Sequence, residues 1–150
     1  MTTTIAPATT AQVYQVFIKA TPEQIWEAIT KPEFTRRYFH ASSVDFTGER
    51  LKSHGPQGQL WIDGAKIEWD PPRRLVHGWR ALYDEETAVE GESRVTWEIE
   101  PKDGGMCKLT VVHDQLERAP KTARSVSGEG WMYVLSGLKT LVETGQPMKS

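Results

Sequence analysis

Two histidines stand where a reacting group could sit. His77 keeps step with Leu75, Trp79 and Ala81, and His113 with Leu109 and Val111, each on an alternating apolar face. An imidazole titrates near neutrality, so a histidine facing a cavity can act as a general base or orient a ligand. The plainer role is a core histidine whose nitrogens are satisfied by its surroundings. Four of the six tryptophans, Trp69, Trp79, Trp97 and Trp131, fall on faces that the pattern turns inward. They read as an aromatic wall around a planar or acyl ligand, or as ordinary core, since each can bury roughly 150–250 Å². Ile99, Val111, Tyr133 and Leu135 complete the expected lining, with His77, His113 and Tyr133 as its polar anchors.

Other reactive arrangements are sparse. Glu98 and Glu100 alternate onto the solvated face, while Asp114 and Glu117 sit at a strand-to-loop junction near the expected mouth. Ser125, Ser127 and Ser136 have no base paired with them in sequence, Cys107 opens a strand, and His40 and His54 fall in loops. No nucleophile elbow, phosphate loop or metal-ligand spacing occurs, so neither metal nor cofactor is expected. Two charge clusters remain: Asp84, Glu85, Glu86, Glu90 and Glu92 in one loop, and Arg118, Lys121 and Arg124 in another. They are solvated loops, or a gate across the cavity mouth with Gly128 and Gly130 as hinges.

The elements that must position these residues follow from periodicity. Residues 13–20 are β-branched and aromatic and predict a strand. Thr21, Pro22 and Gln24 form an N-terminal helix signature, and Ile25, Trp26, Ala28 and Ile29 give one apolar stripe that ends before Pro32. A second short helix is expected over 32–39. Period two then takes over: a short strand at 43–46, a hairpin of 58–63 and 65–70 around Gly64, and strands at 75–82, 94–100 and 107–113. In the second hairpin arm Ala65, Ile67 and Trp69 are expected inward; Trp61 lies opposite Leu60 and Ile62, either exposed or under a loop. Residues 115–129 are polar and irregular. Trp131, Val134, Leu135, Leu138, Leu141 and Val142 then mark a helix over 130–144, closed by Gly145 and Pro147. The order is strand, two helices, about six strands and a long helix: an α+β chain. One-sided alternation means an antiparallel sheet with one solvated face, which must curl around the last helix. A single helix ~10–12 Å across cannot fill such a concavity, which leaves space for a ligand.

Composition bounds the alternatives. The 150 residues suit one domain, expected over 12–147, with tails at 1–11 and 148–150. The balance of 18 Lys and Arg against 20 Asp and Glu, net −2, argues against a nucleic-acid or anionic-membrane binder. One cysteine excludes a disulfide within the chain, and no apolar run approaches the ~20 residues of a membrane span. The Thr/Ala-rich start lacks the basic and apolar regions of a signal peptide, so a cytoplasmic protein is expected.

Five stretches carry a family resemblance: ATPEQIWEAITKPE at 20–33, WDPPRRL at 69–75, SRVTWEI at 93–99, KLTVVHD at 108–114 and GWMYVLSGLKTLVETG at 130–145. Together they cover about 13–147. The chain resembles the START-like (SRPBCC) superfamily, in the branch named for the C-terminal domain of the activator of Hsp90 ATPase. That resemblance implies a helix-grip, with six or seven antiparallel strands wrapped on the C-terminal helix over an apolar cavity. The expected function is binding of a small hydrophobic or aromatic molecule, such as a lipid or polyketide. Alternatives are a cyclase, dehydratase or hydrolase using a cavity histidine, and an Hsp90 co-chaperone-like interaction module. A homodimer is a further expectation, should Trp61 and the outer sheet face be exposed.

Overall fold

The computed structural model describes residues 11–127 and 129–149. The expected N-terminal tail, except Ala11, lies outside the described residues, as do the Gly128 hinge and Ser150.

Strand β1 (Ala11–Ile18) leads into helix α1 (Pro22–Thr30). The Thr21 signature is realised as a reciprocal cap: the Gln24 amide donates to Thr21 Oγ1 at 3.1 Å, and the Thr21 amide donates to Gln24 Oε1 at 2.9 Å. Ile25, Trp26, Ala28 and Ile29 are the buried stripe. Helix α2 is shorter than expected, Pro32–Thr35, but hydrogen-bonded turns continue it, and Phe39 N donates to Thr35 O at 2.7 Å. His40 and Ala41 follow with φ of 54° and 59°, which turn the chain sharply into strand β2 (Ser43–Asp45).

Strands β3 (Arg50–His54), β4 (Leu60–Asp70) and β5 (Arg74–Ala81) come next. A short helix α3 (Glu85–Ala88) precedes β6 (Ser93–Lys102) and β7 (Met106–Asp114). A 3₁₀ turn (Leu116–Arg118) and helix α4 (Pro120–Val126) fill the segment read as irregular, and helix α5 (Gly130–Thr144) completes the fold. The sheet is wholly antiparallel, in the order β1-β7-β6-β5-β4-β3-β2. This is an α+β helix-grip: a curved sheet around α5, with short helices after the first strand.

The apolar stripe of α5 faces the concave side and buries Trp131, Val134, Leu135, Leu138 and Leu141. Leu75, Val95, Trp97, Ile99, Leu109 and Val111 meet it from the sheet. Gly145 ends α5 with φ of 78°, its amide donating to Leu141 O at 2.8 Å.

The hairpin expected around Gly64 does not form. Residues 60–70 make one strand, because Gly64 is needed for close approach: a Cβ there would collide with the Gly78 carbonyl of β5. A register shift between Lys66 and Glu68 then interrupts β4. Ile67, expected inward, falls in the shift and is 58% exposed, while Trp69 keeps to the inward side opposite Leu75 and against Trp26 and Phe46, 41% exposed. Strand β3 was not foreseen, since Leu51 is the one apolar residue in RLKSH; its other buried position holds Ser53.

Candidate functional site

The end of the grip near the start of α5 is hollow. A cavity of about 470 Å³ lies there, within the range of small-molecule sites. Sheet residues Ser53, Trp61, Ile62 and Trp79 form one wall, and Gly130, Trp131 and Val134 of α5 the opposite one. Phe39, His40 and Ser42 close a side from the loop after α2; Tyr83, Ser125 and Val126 stand on another. No Asp, Glu, Lys or Arg is among these residues. The walls are mainly aromatic: Trp79 and Trp131 have ring centroids 5.5 Å apart, and Phe39 packs edge-on against Trp131 at 6.1 Å.

Behind this wall lie the two histidines. Trp97 Nε1–H donates to His77 Nε2 at 3.0 Å. An indole nitrogen can only donate, so His77 Nε2 is the acceptor, and Nδ1–H donates to Gly78 O at 2.9 Å. The same logic fixes His113. Its Nδ1 accepts from Trp131 Nε1–H at 3.1 Å, so Nε2–H donates to Ser93 Oγ at 2.8 Å. Ser93 Oγ–H in turn donates to Trp79 O at 3.1 Å. Burial pushes His77 down to about 4, against a smaller upward effect of its bond to Gly78. Burial, with His77 nearby, pushes His113 down to about 3. Both rings are therefore neutral, with both nitrogens engaged inside the protein. This arrangement locks core geometry and leaves no lone pair for proton transfer.

Trp79 differs from Trp97 and Trp131. It is 5% exposed, and its Nε1 is the one buried side-chain nitrogen or oxygen without a hydrogen-bond partner among the described residues. Leaving such a donor unpaired typically costs about 1–3 kcal/mol. Trp79 also borders a second, very small void of about 10 Å³, shared with Ser53, His77 and Trp97.

The expected charge clusters meet beside the cavity. Glu90 accepts from Lys121 N at 2.7 Å, Thr122 N at 2.9 Å and Thr122 Oγ1 at 2.9 Å, capping α4 from outside. Burial acts to raise the Glu90 carboxyl, but these three donors outweigh it and hold it below the usual carboxylate value. Lys121 pairs with Glu86 at 3.4 Å, and Gly91 N donates to Arg118 O at 3.1 Å. At the cavity rim the Tyr83 and Ser125 hydroxyls share a 2.6 Å hydrogen bond.

The cavity unites only part of the expected lining. Trp79 and Trp131 face it. His77, Trp97, Ile99, Val111, His113 and Leu135 are buried but belong to the packed layer beyond. Trp69 sits away from the cavity, edge-on to Trp26 at 5.0 Å with Lys66 Nζ above its ring. Tyr133, 37% exposed, lies on the outer flank of α5, where it stacks on His40 at 5.5 Å and borders a broad, shallow cleft with Arg36 and Arg37. Sequence reasoning missed Phe39, His40, Ser42, Ser53, Tyr83 and Val126 as lining. Trp61 is half-buried and reaches the cavity over Gly55, where a side chain would strike its ring. Cys107 is buried, with its thiol donating to Ala20 O at 3.3 Å. Among the described residues no cluster of His, Cys, Asp or Glu is disposed to hold a metal.

Residues 19–143 match the family described as Activator of Hsp90 ATPase homolog 1-like protein. No curated protein matches the sequence significantly. Among solved structures, a protein from Mesorhizobium loti is similar with a TM-score of 0.71 and 20% identity, over 88% of this chain and 96% of that one. CalU16 from Micromonospora echinospora gives a TM-score of 0.68 and 20% identity, over 93% of this chain and 77% of that one. DynU16, a protein in the dynemicin biosynthetic locus, gives a TM-score of 0.73 and 23% identity over 92% of this chain and 49% of its own, so this chain spans about half of DynU16. At these identities the similarity establishes the fold alone.

Proposed function

The chain belongs to the Activator of Hsp90 ATPase homolog 1-like family, and we propose that it binds a small, neutral, hydrophobic or aromatic molecule in the cavity between sheet and α5. The observation that carries this reading is the uncharged, aromatic-walled chamber of about 470 Å³. A lipid tail or a polyketide-like ring system fits such a lining; a carboxylate or an amine would find no counter-charge in it. The protein in the dynemicin biosynthetic locus and CalU16 from Micromonospora echinospora share the fold. The 84–92 and 116–126 segments serve as the gate.

Magnitudes set the kind of binding. A ligand that buries roughly 300 Å² of apolar surface gains about 7–8 kcal/mol at ~25 cal/mol/Å². Association takes back ~4 kcal/mol or more. Apolar contact alone thus leaves affinity in the millimolar range, around 4 kcal/mol, and tighter binding needs a polar anchor.

The cyclase, dehydratase or hydrolase reading relied on His77 or His113, and the engaged nitrogens of both weigh against it. The Hsp90 reading draws on the family name, and a pull-down with chaperone ATPase stimulation tests it. The homodimer reading relied on an exposed Trp61, which is half-buried in the cavity wall. Among the described residues no helix is long and apolar enough to cross a membrane.

The direct test is titration of delipidated protein with fluorene, a rigid tricyclic hydrocarbon, followed by tryptophan fluorescence. Saturable quenching that disappears in a Val134→Trp variant, which fills the chamber, is the expected result. Quenching unchanged by that variant places the hydrocarbon elsewhere and overturns the reading.

A further inference from the structure

Apolar contact fills the chamber, so the little polar surface on its walls must select the guest. Ser42 Oγ is spent on Phe39 O at 2.6 Å, and His40 lies flat on Tyr133. Ser53, 3% exposed, is shut in between the chamber and the small void beside it. Tyr83 and Ser125 are placed differently. Both line the chamber and both reach solvent, Tyr83 being 43% exposed. Their hydroxyls meet at 2.6 Å and join the loop after β5 to α4 across the rim. Two hydroxyls bring two hydrogens, and the bond between them uses one. Neither oxygen has another partner among the described residues, so one O–H is left to point outward, whichever of the two donates. Burial raises the Tyr83 phenol above its ordinary value, against an opposing effect of its bond to Ser125, so the ring keeps its hydrogen.

We propose that the Tyr83–Ser125 hydroxyl pair is the polar anchor of the chamber, and that the ligand is a neutral hydroxylated ring system, held with its rings inside and its hydroxyl at the mouth. The inference rests on the cavity-binding reading and names the class of molecule. A guest hydroxyl accepts from the spare O–H of the pair and donates to a lone pair on the other oxygen. Three hydroxyls then stand in a ring, each donating once and accepting once, an arrangement in which every bond polarises the next. A carbonyl oxygen accepts the spare O–H but has nothing to donate, and so makes one bond where a hydroxyl makes two. The lining holds no Lys or Arg to balance an anionic guest. The flat walls of Phe39, Trp61 and Trp131 favour rings over a flexible chain, because edge-on and offset contacts reward rigid aromatic faces. The competing occupant at the mouth is water, which can close the same ring of hydroxyls.

The test compares 2-naphthol with 2-methylnaphthalene, which exchange a hydroxyl for a methyl group of similar size, by NMR titration of wild type and of a variant carrying Tyr83→Phe and Ser125→Ala. The ratio of naphthol to methylnaphthalene affinity is expected to be roughly two- to tenfold higher in wild type than in the variant. Comparing ratios cancels the unequal cost of withdrawing the two compounds from water. Methylnaphthalene affinity is expected to agree within about twofold between the two proteins, which shows the chamber of the variant intact. In wild type the assigned Tyr83 Cζ resonance is expected to shift further with naphthol than with methylnaphthalene; this readout needs no variant to fold, and it decides should the variant bind neither compound. An unchanged ratio, or equal Cζ shifts from the two compounds, overturns the anchor and leaves the cavity reading standing. Wild type that binds neither compound overturns both.

Discussion

Trp131 Nε1 donates to His113 Nδ1 across 3.1 Å, tying the first turn of α5 to the end of β7 through a buried contact. The bond sets the histidine tautomer, and the other nitrogen passes the chain on to Ser93 and the Trp79 backbone. Replacing the ring leaves the buried Trp131 Nε1–H without an acceptor and removes one of the two hydrogen bonds of Ser93 Oγ. His113→Leu is expected to destabilise the fold by about 2–4 kcal/mol, read from urea denaturation. A loss under about 1 kcal/mol would show that the network contributes little.

Acid should weaken the protein well before its carboxylates protonate. His77 and His113 lie at about 4 and about 3 in the folded chain, and near 6.5 once unfolded. Below about 6.5 the unfolded state therefore takes up protons that the folded state refuses, and stability falls as pH falls. The contribution is fully present above that value and is lost progressively down to the folded-state values. Each histidine accounts for up to about 1.4 kcal/mol per pH unit in this window. Denaturation curves at pH 7, 6 and 5 check it; identical midpoints at all three would rule it out.

Glycines 64 and 78 should differ in tolerance. A methyl group at Gly78 strikes the end of the Glu92 side chain, which can swing away after giving up its bond to the Ala65 amide. One at Gly64 strikes the Gly78 backbone, which cannot. Gly64→Ala is expected to cost more than about 3 kcal/mol or to yield insoluble protein, and Gly78→Ala distinctly less. Thermal melts of the two variants decide; the reverse ranking would contradict the assigned packing.

The fastening of α4 predicts a local effect. Glu90→Ala removes the acceptor for two amides and a hydroxyl at the start of the helix. Hydrogen exchange in peptides spanning 116–127 should accelerate, with a loss of about 1 kcal/mol in local protection and little change in β5–β7. Exchange that rises uniformly across the sheet would mean the segment is not an independent unit.

Much of the scaffold was legible because it is governed by short-range rules. The Thr21 cap, the α5 stripe and the alternation of Val95, Trp97 and Ile99 each announce themselves within a few residues. Gly64 misled, since glycine permits either a turn or a tight strand crossing, and the choice is made by Gly78 fourteen positions on. Ile67 misled for a related reason: strict alternation cannot register the shift between Lys66 and Glu68 in which it falls. The cavity was anticipated from geometry, but most of its lining was not. Phe39, Tyr83 and Val126 come from three connections with no common period, and only the folded chain brings them together. The histidines were found by pattern, whereas their engagement by tryptophans twenty and eighteen positions away was visible only in three dimensions.

The body of the grip is held by oily surfaces, whereas the flap beside its opening is tied down by a carboxylate, a lysine and a pair of hydroxyls. Salt screens the exposed Lys121–Glu86 pair of that flap and leaves its hydrogen bonds and the apolar contacts of the core largely unchanged. Under the proposed binding role, ionic strength therefore acts on this flap through the Lys121–Glu86 pair, while resistance to unfolding is left to the apolar core.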